Sequence, residues 1–397
     1  MSGVLDIAIA GAGIGGLTAA AALGAQNHRV VIFDRFEAPR PIGSGLVIQP
    51  VGQHVLDEIG AGEAARGHGS AIYHMQGLEA DSGRTVLSVR YGVEDGPRFG
   101  LAIQRPALFD AVFDAAMKAG ARLETSHPVQ SRDGRHLIFE DGTSKGPFDL
   151  IIDASGTNSA LTTLKSRALP FGAAWGTVPW PDDAPLPKGL LAQRYRRASQ
   201  MVGVMPSGTR PGEDGETATI FWSLPVSGFD DWRKRGRDAW LEDVANTWPD
   251  ALPFFSQISD LSQMTTASYS HGTLLSTTAP GFAVIGDAAH RASPQLGQGA
   301  NMAMLDAWAL ALAIKRFTLP EALRHFERAR RWHVRIYQAM SWAFTPQYQS
   351  DSTILPILRD RVLYPVSTIP PIPKILTKLV CGDLIPPHAS LDIRAPR

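Results

Sequence analysis

Apolar residues in this chain follow three spacings, and each predicts a different kind of element. Short uninterrupted runs at residues 4–10, 30–33 and 282–285 suit strands covered on both faces, which have no solvent side to mark with polar residues. Alternating or aromatic-rich stretches at 175–180, 190–197, 201–205 and 218–224, with turn clusters between them, predict an antiparallel sheet. Helical spacing appears in the small-residue segment 17–25, at 230–248 through Trp232, Trp240, Val244 and Ala245, from Asn301 to Ile314, and at 372–380. Beyond Ser341 the chain is cut by Pro346, Pro356, Pro365, Pro370, Pro371, Pro373, Pro386 and Pro387, which leaves room only for short helices.

The first run stops at Gly11-Ala12-Gly13-Ile14-Gly15-Gly16, a helix follows, and a second strand ends in Asp34, 23 positions after Gly11. In a strand, glycine turn, helix, strand unit, Gly11 permits the tight turn, Gly13 lets backbone approach a pyrophosphate, and Gly16 lets helix lie on strand. The helix start offers free N–H groups to phosphate, and the acid accepts hydrogen bonds from a ribose. This predicts dinucleotide binding without separating NAD from FAD. A second such unit begins at 282–285 and runs into Gly286-Asp287-Ala288-Ala289-His290. A loop with Pro294 and Gly297 then leads to Gly299-Ala300-Asn301 and the long helix. A carboxylate at a strand end and amides at a helix start suit a flavin, whose ribityl chain carries hydroxyls and whose reduced ring carries negative charge.

Residues 286–307 resemble the FAD motif of the group A flavoprotein monooxygenases, the single-component aromatic hydroxylases related to para-hydroxybenzoate and salicylate hydroxylases. The resemblance extends to 43–50, with Gly45 and Val47, to the Arg-x-x-Leu at Arg105, and to the basic stretch 323–331. It implies an α/β fold in which a Rossmann-like FAD-binding domain (1–72, 98–168, 275–335) is interleaved with a mostly antiparallel β-sheet substrate domain (73–97, 169–274). A helical, proline-rich segment (336–397) completes the chain. It further implies FAD contacts at Gly11, Gly13, Ile14, Gly15, Gly16, Asp34, Arg35, Gly45, Arg105, Asp287, Pro294, Gly297, Gly299, Ala300 and Asn301, with Val129 near the adenine. The implied activity is hydroxylation of an aromatic or heteroaromatic small molecule with NADH or NADPH and O2, through a flavin C4a-hydroperoxide. A halogenase or reductase on the same fold, or an FAD-binding protein with impaired NAD(P)H use, is the alternative.

One motif departs from the family pattern. Where an Asp-Gly pair is expected, this chain has Ser155-Gly156, with Asp153 two positions earlier on the same side of a strand. Asp153 is expected either to replace the missing charge or to be a strand-end residue without a ligand. The pocket is expected to use Val47, Phe221, Trp222 and Pro294. Tyr195, Tyr269 and His271 are the candidates for taking a phenolic proton. His290 is expected to fix its loop rather than act as a base. The tail is expected to cover the substrate pocket or a partner subunit; a membrane contact through its apolar face and plain structural packing are the alternatives.

Composition narrows the field further. Lys plus Arg equals Asp plus Glu at 38 each, so no global basic field calls for nucleic acid. The single Cys381 permits neither an internal disulfide nor a cysteine metal site, and the 11 histidines show no metal-ligand spacing, so no metal is expected. No basic residue precedes the first apolar run, and no long stretch reads as a membrane span. The expectation is a cytoplasmic monomer or homodimer without a membrane partner.

Overall fold

A computed structural model describes residues 3–38, 43–92, 98–388 and 391; the end of the first insertion (93–97) and most of 389–397 lie outside them. The three buried runs form the centre of a six-stranded sheet. Its order is Thr278–Ala279, Phe282–Val284, Leu150–Asp153, Asp6–Ala10, Arg29–Phe33, Arg122–Glu124, with the inner strands parallel. Parallel neighbours bring strand ends to one edge, so Ala10, Phe33, Asp153 and Val284 finish together. The Ile14–Gly24 helix packs between this sheet and the Gly299–Arg316 helix, and small residues make that possible. A Cβ at Gly15 would lie 3.1 Å from the Ala303 methyl of that helix, and one at Gly24 would meet the Ala119 carbonyl oxygen, at the end of the neighbouring Arg105–Lys118 helix, at 2.5 Å.

The aromatic-rich segments form an eight-stranded sheet ordered His290–Arg291, Thr265–Thr273, Arg167–Pro179, Thr217–Pro225, Gln200–Pro206, Leu190–Arg196, His74–Glu79, Thr85–Arg90. Directly paired residues share a face. The register Thr265, Trp175, Phe221, Gly203, Gln193, Gly77 therefore defines one face, and Ala174, Trp222 and Val202 lie on the other. That second face is sealed by the Phe229–Thr247 helix and its successors through Trp232, Trp240, Val244, Trp248, Phe254 and Phe255. The expected covering helix is present, broken at Gly236, whose φ is +83°.

The first face meets the FAD-binding region through a three-stranded sheet, Gly45–Ile48, Gly100–Gln104 and Ser70–Ile72. This junction itself requires glycine at position 45. The Gly45 N–H donates to Thr219 Oγ1 at 3.0 Å, and a Cβ would run into that hydroxyl and the Ser207 side chain. Gln104, also buried here, donates to Ser207 Oγ at 2.7 Å and Thr217 Oγ1 at 3.0 Å. The tail starts in the long helix Leu319–Tyr348 and ends in Ile372–Cys381, whose inner side joins Val47, Met75, Tyr91 and Met205 in one apolar cluster.

Candidate active site

What a side chain would meet separates the glycines of the first turn. Gly11 has φ +104°, and a Cβ there would lie 2.6 Å from the Ala154 carbonyl oxygen; a Cβ on Gly16 would enter the Gly11 carbonyl. These two serve the fold. Gly13 is exposed, and a Cβ on it would meet no protein atom within 4 Å, so its smallness serves whatever lies outside the turn. Asp34 caps that turn, accepting from the Ala12 N–H at 2.6 Å and the Phe36 N–H at 3.2 Å. A carboxylate has about four acceptor positions, so capacity for two hydroxyls remains. Arg35 is exposed beside it. The His127 N–H donates to the Asp34 carbonyl at 2.9 Å, which brings the strand starting at Val129 next to the same turn.

At the other end, Phe282–Val284 runs through Gly286, φ +61°, into Asp287. The Asp287 side chain reaches solvent in a cleft, while the protein packed around it pushes its carboxyl above its ordinary value and His290, Arg105 and Arg291 pull it back. Gly297 adopts a left-handed conformation, φ +61°, that ends the Pro294 turn and leads into the Gly299–Arg316 helix. The Met302 N–H bonds the Gln298 carbonyl at 2.8 Å, which leaves the amides of Gly299, Ala300 and Asn301 without helical partners, as at any helix start. Gly299 is exposed, and a Cβ on it would again meet nothing. The Asn301 side chain, however, is fully buried and committed. It accepts from the Gln49 N–H at 2.8 Å and donates to the carbonyls of Val47 and Gly297 at 3.2 and 2.9 Å, so Asn301 contributes its backbone to a ligand and its side chain to the loop. Gln49 Oε1 and Gln298 Oε1, buried on either side of this loop, lack protein partners. Two open glycines, a half-used acid, an acid with an arginine in a cleft, and amides at a helix start fit FAD.

The loop is held from behind by a carboxylate that sequence reading did not single out. Asp306, 2% exposed, accepts from Gly286 N–H at 3.0 Å, His290 Nε2 at 2.6 Å and Arg330 Nε at 2.7 Å. Burial alone would raise its pKa, but the His290 and Arg330 charges and hydrogen bonds outweigh it and hold the carboxyl well below the usual range. His290 therefore fixes the loop, as its motif position suggested. Within the basic stretch 323–331, Arg330 is buried and paired. Both residues lie within stretches that carry the resemblance, 286–307 and 323–331, but nothing local gives their role; that signal is their pairing, 24 residues apart.

Asp153 is likewise spent internally. It is fully buried and accepts from Ser155 Oγ at 2.5 Å, Ser155 N–H at 3.1 Å and Ser159 Oγ at 2.6 Å. Burial raises its pKa and those three bonds oppose the rise. Asp153 shapes the turn, and the exposed Ser155 stands where the family carries an acid.

On the sheet, Trp175 Nε1 donates to Tyr269 Oη at 2.7 Å, and the Trp175 and Phe221 rings lie 4.8 Å apart. Arg105 interacts electrostatically with both Tyr269 and Asp287, which brings this aromatic corner to the flavin end. Burial pushes Tyr269 up to about 12, against Trp175 and Arg105. It therefore stays a neutral phenol, suited to donating a hydrogen bond and unsuited to acting as a base. Two other expectations, Trp222 in the pocket and Tyr195 as a proton acceptor, are corrected. Trp222 sits on the opposite face, 6.3 Å from the Trp240 ring, because adjacent strand residues cannot share a face. Tyr195 is buried, donates to Gln193 Oε1 at 2.5 Å and stacks under the Arg359 guanidinium with Tyr348. His271 bonds Ser341 Oγ at 3.3 Å and so joins Ser293 and Thr345, which support the Pro294 turn from the tail side. Val47 faces the apolar cluster that includes Met75 and Cys381. Among the described residues no group of His, Cys, Asp and Glu could hold a metal ion.

The FAD binding domain model matches residues 203–336, and an NAD(P)-binding Rossmann-like domain model matches 9–39. A probable 2-heptyl-3-hydroxy-4(1H)-quinolone synthase of Rhodococcus erythropolis is 29% identical over 377 residues, covering 91% of each chain. Kynurenine 3-monooxygenase of Xanthomonas campestris is 28% identical over 368 residues, 85% of this chain and 77% of that one. The structure of Klebsiella pneumoniae HpxO with FAD and uric acid superposes with a TM-score of 0.79 at 21% identity, covering 96% of this chain and 97% of that one, which shows a shared fold.

Proposed function

Because the chain belongs to the group A FAD-dependent aromatic hydroxylases, we propose that its substrate is a flat, largely apolar bicyclic heteroaromatic of the 4-quinolone type, hydroxylated at the expense of NADH or NADPH and O2. The observation that carries the substrate class is the sheet face next to the flavin end. Phe221, Trp175 and Tyr269 lead from it toward Met75, Met205, Leu191 and Val47, and none of these side chains carries a charge. The quinolone synthase among the relatives supports the same class.

Bound FAD supplies the redox chemistry, taking electrons from the nicotinamide donor and delivering an oxygen atom from O2. The chain's own residues bind, orient and exclude water. The first turn and Asp34 would hold the adenosine and pyrophosphate, Asp287 the ribityl hydroxyls, and the amides of Gly299, Ala300 and Asn301 the electron-rich edge of the ring. Pro294 lies half-buried at the start of the turn that presents those amides. Trp175 fixes the Tyr269 oxygen as an acceptor, so the Tyr269 proton is left to donate to a ring carbonyl or hydroxyl of the substrate. Tyr195 is committed to Gln193 and Tyr269 stays a neutral phenol, so neither serves as a base, which suits a ring already electron-rich through its own nitrogen or oxygen.

The test is anaerobic flavin bleaching by NADH and NADPH in the presence of 4-quinolones, phenols and indoles, followed by product analysis in air. Acceleration by quinolones, with a product heavier by one oxygen, is expected. Acceleration by simple phenols alone would refute the substrate class, and bleaching without oxygenated product would favour a reductase.

A further inference from the structure

The tail carries an inverted surface. Leu355–Leu358, Arg359–Leu363 and Tyr364–Ser367 form one continuous helical run, in which the charged Arg359 is 1% exposed and faces the Tyr195 and Tyr348 rings. The aliphatic side chains point the other way: Ile354, Ile357, Val362, Val366 and Ile369 are exposed, by 73% at Ile354 and 61% at Ile357, and Ile375 of the last helix joins them. A helix on a water-facing surface places its charges outward and its aliphatics inward. This one does the reverse, and a cluster of this size marks a contact surface.

Charge selects the occupant. Every exposed charged side chain between residues 353 and 382 is basic: Arg361, Lys374 and Lys378. The single acid, Asp360, is turned inward and bonded to Arg359 Nε at 2.6 Å. A second copy of the chain on a twofold axis would set this basic rim against itself. An anionic lipid surface complements it, aliphatics entering the acyl boundary and basic residues meeting headgroups. No helix among the described residues is long and apolar enough to cross a membrane, so the contact lies in the plane of the interface.

We propose that the segment 354–378 docks the enzyme on the surface of an anionic bilayer. The inference stands on the tail alone and does not depend on the substrate assigned above. The experiment is co-sedimentation of the FAD-loaded full chain with phosphatidylcholine vesicles, with and without phosphatidylglycerol, at low and high salt. Binding to the anionic vesicles is expected, weakened by salt. Ile357→Asn/Val362→Asn/Ile369→Asn should reduce it roughly tenfold or more, and Arg361→Gln/Lys378→Gln by a similar factor. Both variants alter exposed side chains, and their thermal melts should match the parent. Equal binding of parent and variants overturns the proposal. So does a parent that stays in the supernatant, whether monomeric or forming a concentration-dependent dimer that the triple variant abolishes.

Discussion

Asp306→Asn tests the support behind the flavin loop with little change of shape. The carboxylate takes three donors, from Gly286, His290 and Arg330, at 2.6 to 3.0 Å, in a site 2% exposed. An asparagine keeps one acceptor oxygen and turns an NH2 group toward a donor. It also leaves the Arg330 guanidinium, 3% exposed, without a negative partner. Stranding one partner of a buried ion pair costs about 3–5 kcal/mol. Spread over the unfolding entropy of a chain this long, that is a fall of roughly 4–6 °C in Tm. Since the same carboxylate holds both ends of the Gly286–His290 span, FAD should bind roughly tenfold more weakly. Removing both charges in Asp306→Leu/Arg330→Met should recover much of the stability, because apolar replacement of a whole buried pair is often near neutral. Thermal unfolding of the apo-protein and a flavin fluorescence titration measure the two effects. A single variant within about 1 kcal/mol of the parent, or a double variant no more stable than the single, would refute the reasoning.

Gly13→Ala should leave apo-protein stability within about 1 kcal/mol, since the new methyl meets no protein atom, yet lose FAD retention by roughly tenfold or more; Gly16→Ala should instead fail to fold, and equal melts for the two would be the contrary result. Phe221→Ala and Trp222→Ala each remove a buried ring and should each cost about 3–5 kcal/mol of stability, but only Phe221→Ala should raise the KM of the folded, FAD-loaded enzyme. Acid should destabilise the protein below about pH 6.5. Burial first and the Arg330 charge second push His388 down to about 3 and His333 well below its ordinary value, so the unfolded chain binds protons that the folded one refuses. Each contributes a slope of about 1.4 kcal/mol per pH unit as pH falls, and His388→Asn should make denaturant midpoints less steep with pH. Ser155→Asp should crowd a second carboxylate against Asp153 and lower stability by about 1 kcal/mol or more, relieved in Asp153→Gly/Ser155→Asp; steady-state rates with NADH and NADPH then read out whether the exchange alters donor preference.

The elements that sequence pattern located are those whose physics is local. Gly11 and Gly16 answer to backbone a few residues or one strand away. The runs at 4–10 and 282–285 are apolar because neighbours cover both faces. Parity was illegible for the same reason. Along Thr217–Pro225 eight of nine residues are buried, so no polar alternation tells Phe221 from Trp222, and only the register with Trp175 and Gly203 assigns them. The reason for Gly45 is not legible in the sequence because close approach has two sources, a ligand or another sheet, and glycine answers both alike.

The acids make the same point with consequences for function. Asp34, Asp153, Asp287 and Asp306 all follow or face strand ends of one sheet, and residue type does not distinguish them. Their unfilled acceptor positions do. Asp306 is closed by Gly286, His290 and Arg330, and Asp153 by two serines, one through both its hydroxyl and its backbone N–H, so both carboxylates are structural whatever their charge. Asp34 has two backbone donors and Asp287 opens into a cleft with Arg105 and Arg291 near it, so these two retain capacity for a ligand. A buried acid with its acceptors filled gains nothing from a cofactor, and an acid left half-filled in a cleft is the one whose hydrogen bonds a cofactor completes. Ser155 fits this division. With the Asp153 carboxylate already engaged by its own turn, the exposed hydroxyl adds no charge at the edge where the family resemblance calls for one, and the positive side chains that face the site, Arg105 and Arg291, are left to set the local field.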